Sequence, residues 1–558
     1  MNHGSTGSDR LDPITTEVIA RHVLAAAQEM GVTLMRTAFS PNIKERHDCS
    51  TAVFDAAGQV VAQAEHVPIH LGSMIGAIDA ITSRWSESEI SDGDMFVAND
   101  PYNGGGSHLP DLNVIAPVFY AGHIVAYVAS IAHHADVGGM VPGSESAVCE
   151  SIYQEGLRLP PVRLVRNGQV NPDVFDIIAL NSRTPDERMG DLNAQLAANH
   201  VGIRSIVTLI ERYGVDLFRR ALDSYLDYTE RRFRAAIAAL PEGQHTAEDF
   251  VSGDGDTLAR IVCTVTVGRN RLAFDFTGTS CQLKCARNVP HQALVASVYT
   301  VAKVLLDPDA PANGGAFRVI DITAPAATLV QPVAPAPVGA RSLTCGVLSD
   351  VILSALSGVL PGKRMAASGP HHLVVFGGTD PRTKRYFVNY ETIAGGLGAR
   401  GDRDGMDAVR TLTSGSANLP IEALEHAYPL RVERYALRAE SGGDGTYRGG
   451  DALVRDYRIL ADDVTVSLTG ERQRVAAQGV ESGHPGATGQ FLLNPDTASE
   501  RCLGAATNQE PVPRDSILRI ATPGGGGFGL SSERNPDLVA RDEREGRATA
   551  KISKNLDV

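Results

Sequence analysis

One stretch limits the possible fold more than any other: GGGSHLPDLNVIAPVFYAGHIVAYVASIAHHADVGG, from Gly104 to Gly139. Two apolar β-type runs, LNVIAPVFY and IVAYVASIA, are separated only by Ala121, Gly122 and His123. If Ala121 and Gly122 form a two-residue hairpin loop, Tyr120 faces His123 and the pairing runs back to Asp111 facing Ala132. His133 and His134 then emerge beside His108, Pro110 and Asp111. Distant polar groups thus meet at one end of a rigid hairpin. A turn one residue longer would change which faces are shared. Glycines on both sides, Gly104 to Gly106 and Gly138 with Gly139, let the backbone bend closely around a bound group.

Two imidazoles and a carboxylate converging from a hairpin are the outline of a metal site. Neutral imidazole suits zinc, manganese or iron, and the carboxylate moves the choice towards harder ions. Three protein ligands with open positions would make the site catalytic rather than structural. The residues alone leave a second reading open, in which the histidines cap strand ends and bond to carbonyls. Upstream, KERHDCSTAVFDAAGQVVAQAEHVPIH places Asp48 just before a β-run, with His66 and His70 flanking Pro68. An extended chain puts both histidines on one face. They are either a second wall of the same cleft or a polar hairpin rim.

Around this hairpin the chain alternates helical and β patterns, which predicts a mixed α+β, multi-domain protein. Asp12 caps and Pro13 opens a helix in which Ile14, Val18, Ala26, Met30 and Leu34 recur at helical spacing. STAVFDAAGQVVAQA reads as a hairpin turning at Ala57-Gly58. Helices are expected from Pro185 to about Leu240 and near His291–Leu306. The segment ARIVCTVTVGRNRLAFDFTGT is β-rich, with a turn at Gly268-Arg269-Asn270. The stretch APAATLVQPVAPAPVGA reads as a linker. The last third alternates β-runs with glycine turns, as a sandwich or barrel-like unit would. The expected division is an N-terminal α+β domain carrying the site (1–245), a middle α/β domain (246–430), a β-rich domain (431–530) and a mobile charged tail (531–558). No internal repeat is visible.

The 558 residues carry a formal charge of −14, with 43% hydrophobic and 21% charged residues. That balance is globular, and the acidity excludes nucleic acid or an anionic membrane as the expected partner. No stretch approaches the roughly 20 apolar residues of a membrane span, and MNHGSTGSDRLDP lacks a signal-peptide core. A cytoplasmic location is expected. The seven scattered cysteines contain no C-x-x-C pair, which suggests reduced thiols. Cys281 and Cys285 read as packing residues. TPGGGGFG, Thr522 to Gly529, leads into a polar tail rather than a helix, so neither a P-loop nor a dinucleotide fingerprint is present. No G-x-S-x-G elbow is found. ATP, if used, is expected on another chain.

Several longer stretches carry a resemblance: HVPIHLGSM, GDMFVANDPYNGGGSHLPDLNVIAPVF, AHHADVGG, EGLRLPPVRL, TPDERMGDLNAQLAANHVG, FDFTGTS, ETIAGGLGAR, YALRAESGGDGTYRGG and TPGGGGFG. In order, from about residue 12 to 530, they resemble the hydantoinase B/oxoprolinase family. The resemblance implies the B-type subunit of a two-component, ATP-dependent enzyme in a hetero-oligomer. Relatives act on N-methylhydantoin, lactams and 5-oxoproline, or carboxylate acetone and acetophenone. An A-type partner, holding ATP and Mg, would phosphorylate a cyclic amide or ketone, and the B-type subunit would hold one divalent metal (Mn, Zn or Fe). By resemblance to the carboxylases, the metal ligands fall on His108, Asp111 and His133. Asp48, His134 and Asp136 become the catalytic candidates, and His66 and His70 the substrate-binding ones.

The implied chemistry is hydrolysis of a phosphate-activated cyclic amide, with carboxylation of a ketone as the alternative. A non-catalytic scaffold and a non-haem iron oxygenase complete the alternatives. The chain departs from the family where Thr-Asn-Thr-x-Asn-x-Pro-x-Glu is expected: it has SGSANLPIE, Ser414 to Glu422. It also drifts around SLTCGVLSDVI. Both departures bear on substrate identity more than on the metal site.

Overall fold

A computed structural model describes residues 11–64, 67–360, 362–410 and 412–547. The protein mixes helices with four sheets. The sheet that positions the site contains β1 (Cys49–Asp55), β2 (Val60–Ala64), β3 (Met95–Ala98), β4 (Asp111–Tyr120), β5 (His123–His133), β6 (Val162–Arg166) and β7 (Gln169–Val170). Its spatial order is β2-β1-β5-β4-β3-β6-β7, with every neighbouring pair antiparallel.

Helices cover both faces of this sheet. On one side lie α1 (Pro13–Thr37), the short α2 (Pro41–Lys44), α4 (Pro172–Leu180), α5 (Pro185–Tyr213) and α6 (Val215–Ala238). There Val23, Met30, Leu192 and Ile206 bury against Val53, Val114 and Val128. On the other side α3 (His70–Arg84) packs Met74 and Ile78 against Phe54, Phe96 and Ile115. Two covered faces explain why the central strands read as near-continuous apolar runs instead of alternating.

Asp12 caps α1, accepting from the Ile14 and Thr15 amides. The buried stripe of α1 includes the expected Ala26, Met30 and Leu34 but departs from the expected one in the first turns. Ile14 and Val18 are exposed, and Ile19, Val23, Ala27, Met30 and Leu34 face the sheet. The sheet-facing row is thus offset by one residue from Ile14 and Val18 only in the first half of the helix and rejoins the expected row at Met30 and Leu34.

A second sheet, β11-β10-β9-β8, is made of β8 (Gly243–Ser252), β9 (Leu258–Val267), β10 (Leu272–Asp275) and β11 (Ile320–Thr323). It shares a core with α7 (His291–Leu306) and α8 (Arg341–Ser357). The third sheet joins β12 (His372–Thr379) and β13 (Tyr386–Ile393) to β16 (Thr465–Thr469) and β19 (Ala506–Pro511), so it draws strands from both sides of residue 430. The fourth holds β14 (Leu430–Arg438), β15 (Ala452–Ile459), β17 (Gln490–Leu493), β18 (Arg501–Leu503) and β20 (Ile517–Ala521), with α9 (Ile421–Ala427) beside β14.

TPGGGGFG has a structural explanation. Its glycines run through a bundle of extended segments that bond on several sides. Gly525 donates to Gly450 O at 3.0 Å and accepts from Gly443 N at 2.8 Å, while Gly526 donates to Ala367 O at 2.8 Å. A Cβ on Gly525 would lie 2.2 Å from Leu397 O, so only glycine lets these backbones approach.

The segment after residue 530 is docked as far as Arg547, contrary to the mobile tail expected from its charge. It forms α10 (Pro536–Arg544), and Arg534 and Arg541 pair with Asp404 at 2.7 and 2.9 Å. Opposite charges in the glycine-rich region hold the polar segment in place. All seven cysteines are free; Cys281 is exposed and so is not the packing residue expected from sequence, while Cys285 is half-buried. Among the described residues no helix is long and apolar enough to cross a membrane.

Candidate metal centre

The β4–β5 hairpin forms as the sequence predicts, but its register differs by one residue. Ala121 and Gly122 take left-handed φ values of 51° and 84°, and Tyr120 pairs with His123. Beyond the turn Phe119 pairs with Ile124 and Val118 with Ala126, leaving Val125 as an extra residue on β5. This bulge brings His133, rather than Ala132, opposite Asp111.

Neighbouring elements supply the rest of the site. β1 pairs with β5, and the His133 amide donates to Asp48 O at 2.9 Å, which sets Asp48 beside His133. Helix α3 starts at His70, whose Nδ1 lies 3.2 Å from Ser50 Oγ. The turn before β4 is pressed onto α3 at Gly105, where a Cβ would sit 1.9 Å from the Gly76 carbonyl carbon. That close approach fixes the position of His108 at the head of β4.

Asp111 is completely buried, and its two oxygens have different surroundings. Oδ2 accepts from Arg341 Nη2 at 2.7 Å and from Ser107 Oγ at 3.2 Å. Oδ1 lies 2.9 Å from His108 Nε2, 3.3 Å from His133 Nδ1 and 3.7 Å from His70 Nε2. Neither Asp111 Oδ1 nor His108 Nε2 has an aligned hydrogen bond, although both are buried. On the far side of the ring, His108 Nδ1 lies 2.5 Å from Glu145 Oε1. Tyr390 stacks on His133 with ring centroids 4.4 Å apart.

These atoms fit a cation. One ligand atom from each of His108, Asp111 and His133 lies within 4.8 Å of the others. Metal–ligand bonds of about 2.0–2.2 Å bring ligand atoms to roughly such spacings. Buried polar atoms that converge without bonding one another are costly unless something binds between them. The electrostatics agree. Burial opposes ionisation of Asp111, but His108, His70 and Arg341 together hold its pKa well below the usual carboxylate range. Burial and Arg341 disfavour charge on His108, and Asp111 with Glu145 outweigh them, raising its pKa to about 8. Burial pushes His70 down, so it is neutral at pH 7.

The other expected site residues divide. Asp48 and His70 line the same small cavity, of about 40 Å³, as the triad. His134 and Asp136 do not. His134 Nε2 donates to Gln195 of α5 at 3.0 Å, and burial pushes its pKa down to about 4. Asp136 accepts from four donors, the amides of Gly138, Gly143 and Arg183 and the Arg183 guanidinium. Both tie the hairpin end to its surroundings. His66 lies outside the described residues. Sequence reasoning missed Glu145, Arg341, Tyr390, His371 and Arg410. Each comes from a loop or element remote from the hairpin ends, and no local spacing marks it.

The model of the hydantoinase B/oxoprolinase family matches residues 12–531. The chain is 34% identical to a protein of Pseudomonas sp. strain NS671 described as the B component of a D-/L-hydantoinase, over 98% of this chain and 95% of that protein. Its structure is similar to that of the ATP-dependent caprolactamase from Pseudomonas jessenii, with a TM-score of 0.89 and 28% identity over 97% of this chain and 95% of that one. Acetone carboxylase in its nucleotide-free form gives a TM-score of 0.90 at 20% identity, over 98% of this chain and 79% of that one, a likeness of fold alone. The chain is therefore a member of the hydantoinase B/oxoprolinase family.

Proposed function

We propose that this chain is the metal-bearing B-type subunit of a two-component, ATP-dependent cyclic-amide hydrolase. The observation that carries the reading is the convergence of His108, Asp111 and His133 on one buried point that none of them satisfies for another. An unstrained cyclic amide resists water because resonance stabilises its carbonyl. Activation by ATP on an A-type partner would remove that protection, which agrees with the absence of a P-loop motif from this sequence.

A divalent ion held by the triad would act as a Lewis acid and lower the pKa of water to about 7. The chain's own residues then have defined tasks. His70, neutral at pH 7, presents Nε2 at 3.7 Å from both Asp48 and Asp111, where it can accept a proton in the cavity. Ser50 against Nδ1 fixes its ring. Arg341 and Ser107 anchor Asp111 through one oxygen and leave the other facing the imidazoles. Tyr390 covers His133 and limits water on that side.

The test is the purified complex with its A-type partner, supplied with ATP and a panel of hydantoins, lactams and 5-oxoproline. Ring-opened product with stoichiometric metal supports the reading. Turnover that requires a ketone and bicarbonate instead moves the chain to the carboxylases. A chain without stoichiometric metal returns it to a scaffold role.

A further inference from the structure

The wall of the cavity formed by Thr392, Arg410, Thr413, Ser414 and Ser416 has no task in the reading above. Arg410 donates through Nη1 to Ser414 Oγ at 3.3 Å and to Ser416 Oγ, and through Nη2 to Thr392 O at 2.7 Å. It forms no ion pair with a carboxylate among the described residues. Arg46, only 1% exposed, also donates to neutral acceptors: Asn42 Oδ1, Tyr390 O, Thr392 Oγ1 and Ala417 O.

Three fully buried arginines of this protein are paired with carboxylates. Arg287 meets Glu471 at 2.7 Å, Arg455 meets Glu391 at 3.0 Å and Arg472 meets Asp249 at 2.6 Å. Burial and the neighbouring Arg46 push the Arg410 pKa down to about 9, as expected for a cation short of a counter-charge. Arg410 is half-buried, and a guanidinium in that setting, held by two hydroxyls and a carbonyl, is free to meet an anion with a charge-assisted hydrogen bond.

The charges in the cavity point the same way. With the imidazoles neutral, as metal ligation requires, its walls carry Arg341 and Arg410 against Asp48 and Asp111, a balance of zero. A divalent ion on neutral imidazoles would leave an excess of two positive charges. The cavity, at about 40 Å³, admits a group of only a few heavy atoms. We propose that Arg410, with Ser414 and Ser416, forms an oxyanion subsite facing the triad across the cavity, and that it receives the acidic group of the substrate. That group is either a phosphoryl acquired on activation or a carboxylate the substrate already carries. Only the source of the anion rests on the hydrolase reading. The loop involved is SGSANLPIE, where the chain departs from the expected family pattern, so the subsite would also contribute to substrate choice.

The experiment is calorimetric titration of the full chain with inorganic phosphate and with acetate, at matched metal content. A charge-assisted hydrogen bond is worth about 1.5–3 kcal/mol, so Arg410→Gln should weaken anion binding at least about tenfold. Ser414→Ala/Ser416→Ala should weaken it less, and Arg410→Lys should retain part of it. Arg474→Gln, which alters a surface pair with Asp256, should change nothing. Tighter phosphate binding identifies a phosphoryl source, and tighter acetate binding a carboxylate. Wild-type binding of neither anion, or binding unchanged in Arg410→Gln and in the double serine variant, overturns the subsite. Anion binding is read without partner or turnover. A complex inactive on every cyclic amide would therefore defeat the hydrolase reading and leave the subsite intact.

Discussion

Asp111 and His133 stand directly opposite each other across the β4–β5 ladder, and one extra residue, Val125, makes them do so. Without the bulge Asp111 would face Ala132. Direct cross-strand partners hold their Cβ atoms about 4.5–5.5 Å apart, close enough for both side chains to reach one ion. Asp111→Asn preserves shape and an acceptor for Arg341 but removes that arginine's counter-charge, so the protein should fold at reduced stability. Metal affinity should fall by more than the ~10–100-fold typical of losing a supporting partner. Elemental analysis of the purified variant reads this directly. Full metal content would show the triad to be structural.

The opposite outcome is expected for Asp136. Its carboxylate accepts from four donors at the end of the hairpin. Asp136→Asn would turn an amide towards some of those donors and remove the charge that Arg183 meets at 2.9 Å. The loss should be about 1.5–3 kcal/mol of stability, with metal content unchanged. Urea unfolding alongside metal analysis separates the two effects. Metal loss with unaltered stability would return Asp136 to the site.

The contrast between neighbours shows what could be read from sequence. The hairpin, the cap at Asp12 and the bounds of α7 were legible because turn residues, caps and periodicity act over a few positions. His133 and His134 looked equivalent by composition. A strand alternates its faces, however, so if His133 meets Asp111 then His134 must point away, here to Gln195. The bulge was not legible, because a two-residue turn fixes pairing only until an extra residue intervenes. Arg341 and Tyr390 were hidden for another reason. They reach the site through packing of α8 and β13, which no local pattern encodes.

Stability should depend on pH through Asp350. Burial raises its pKa from the usual 3.8 to about 7, against the opposing pull of Arg472 and the Ser368 amide. The folded state therefore holds a proton that the unfolded chain releases between those values. The contribution is fully present below about pH 4 and is lost as pH rises through 7. Asp350→Asn, which keeps an acceptor for Ser368, should remove this slope. At about 1.4 kcal/mol per pKa unit the difference could reach a few kcal/mol. Melting temperatures of both proteins from pH 4 to 8 should diverge towards the alkaline end. Parallel curves would refute the assignment.

The glycine-rich bundle makes a sharp contrast between two positions. Gly525→Ala would place a methyl 2.2 Å from Leu397 O, with backbone on both sides and no room to shift. Gly504 has nothing nearer than 4.0 Å and needs no left-handed φ, so Gly504→Ala should be nearly neutral. The first variant should be insoluble or melt far below wild type, beyond the roughly 1–3 kcal/mol of an ordinary overpacked core. Soluble, stable Gly525→Ala would mean that the bundle is looser than its hydrogen bonds imply.

Glu145 supplies the last test, because it lies behind His108 rather than in the cavity wall, yet should govern the metal. Its Oε1 lies 2.5 Å from His108 Nδ1, and the other ring nitrogen faces Asp111 Oδ1 at 2.9 Å. Burial would raise the Glu145 pKa, but His108 outweighs it and keeps the carboxylate ionised. A carboxylate there holds the proton on Nδ1 and leaves the Nε2 lone pair free for an ion. It also makes that nitrogen more basic. Partners of this kind typically contribute about 10–100-fold in metal affinity. Glu145→Gln keeps the oxygen but removes the charge, so it should lose part of that factor, and Glu145→Ala should lose more. Titration against a competing chelator gives the affinities, and nitrogen shifts of His108 report its tautomer. A structural role would lower stability without moving either readout. Unchanged affinity and tautomer in both variants would therefore remove Glu145 from the metal centre.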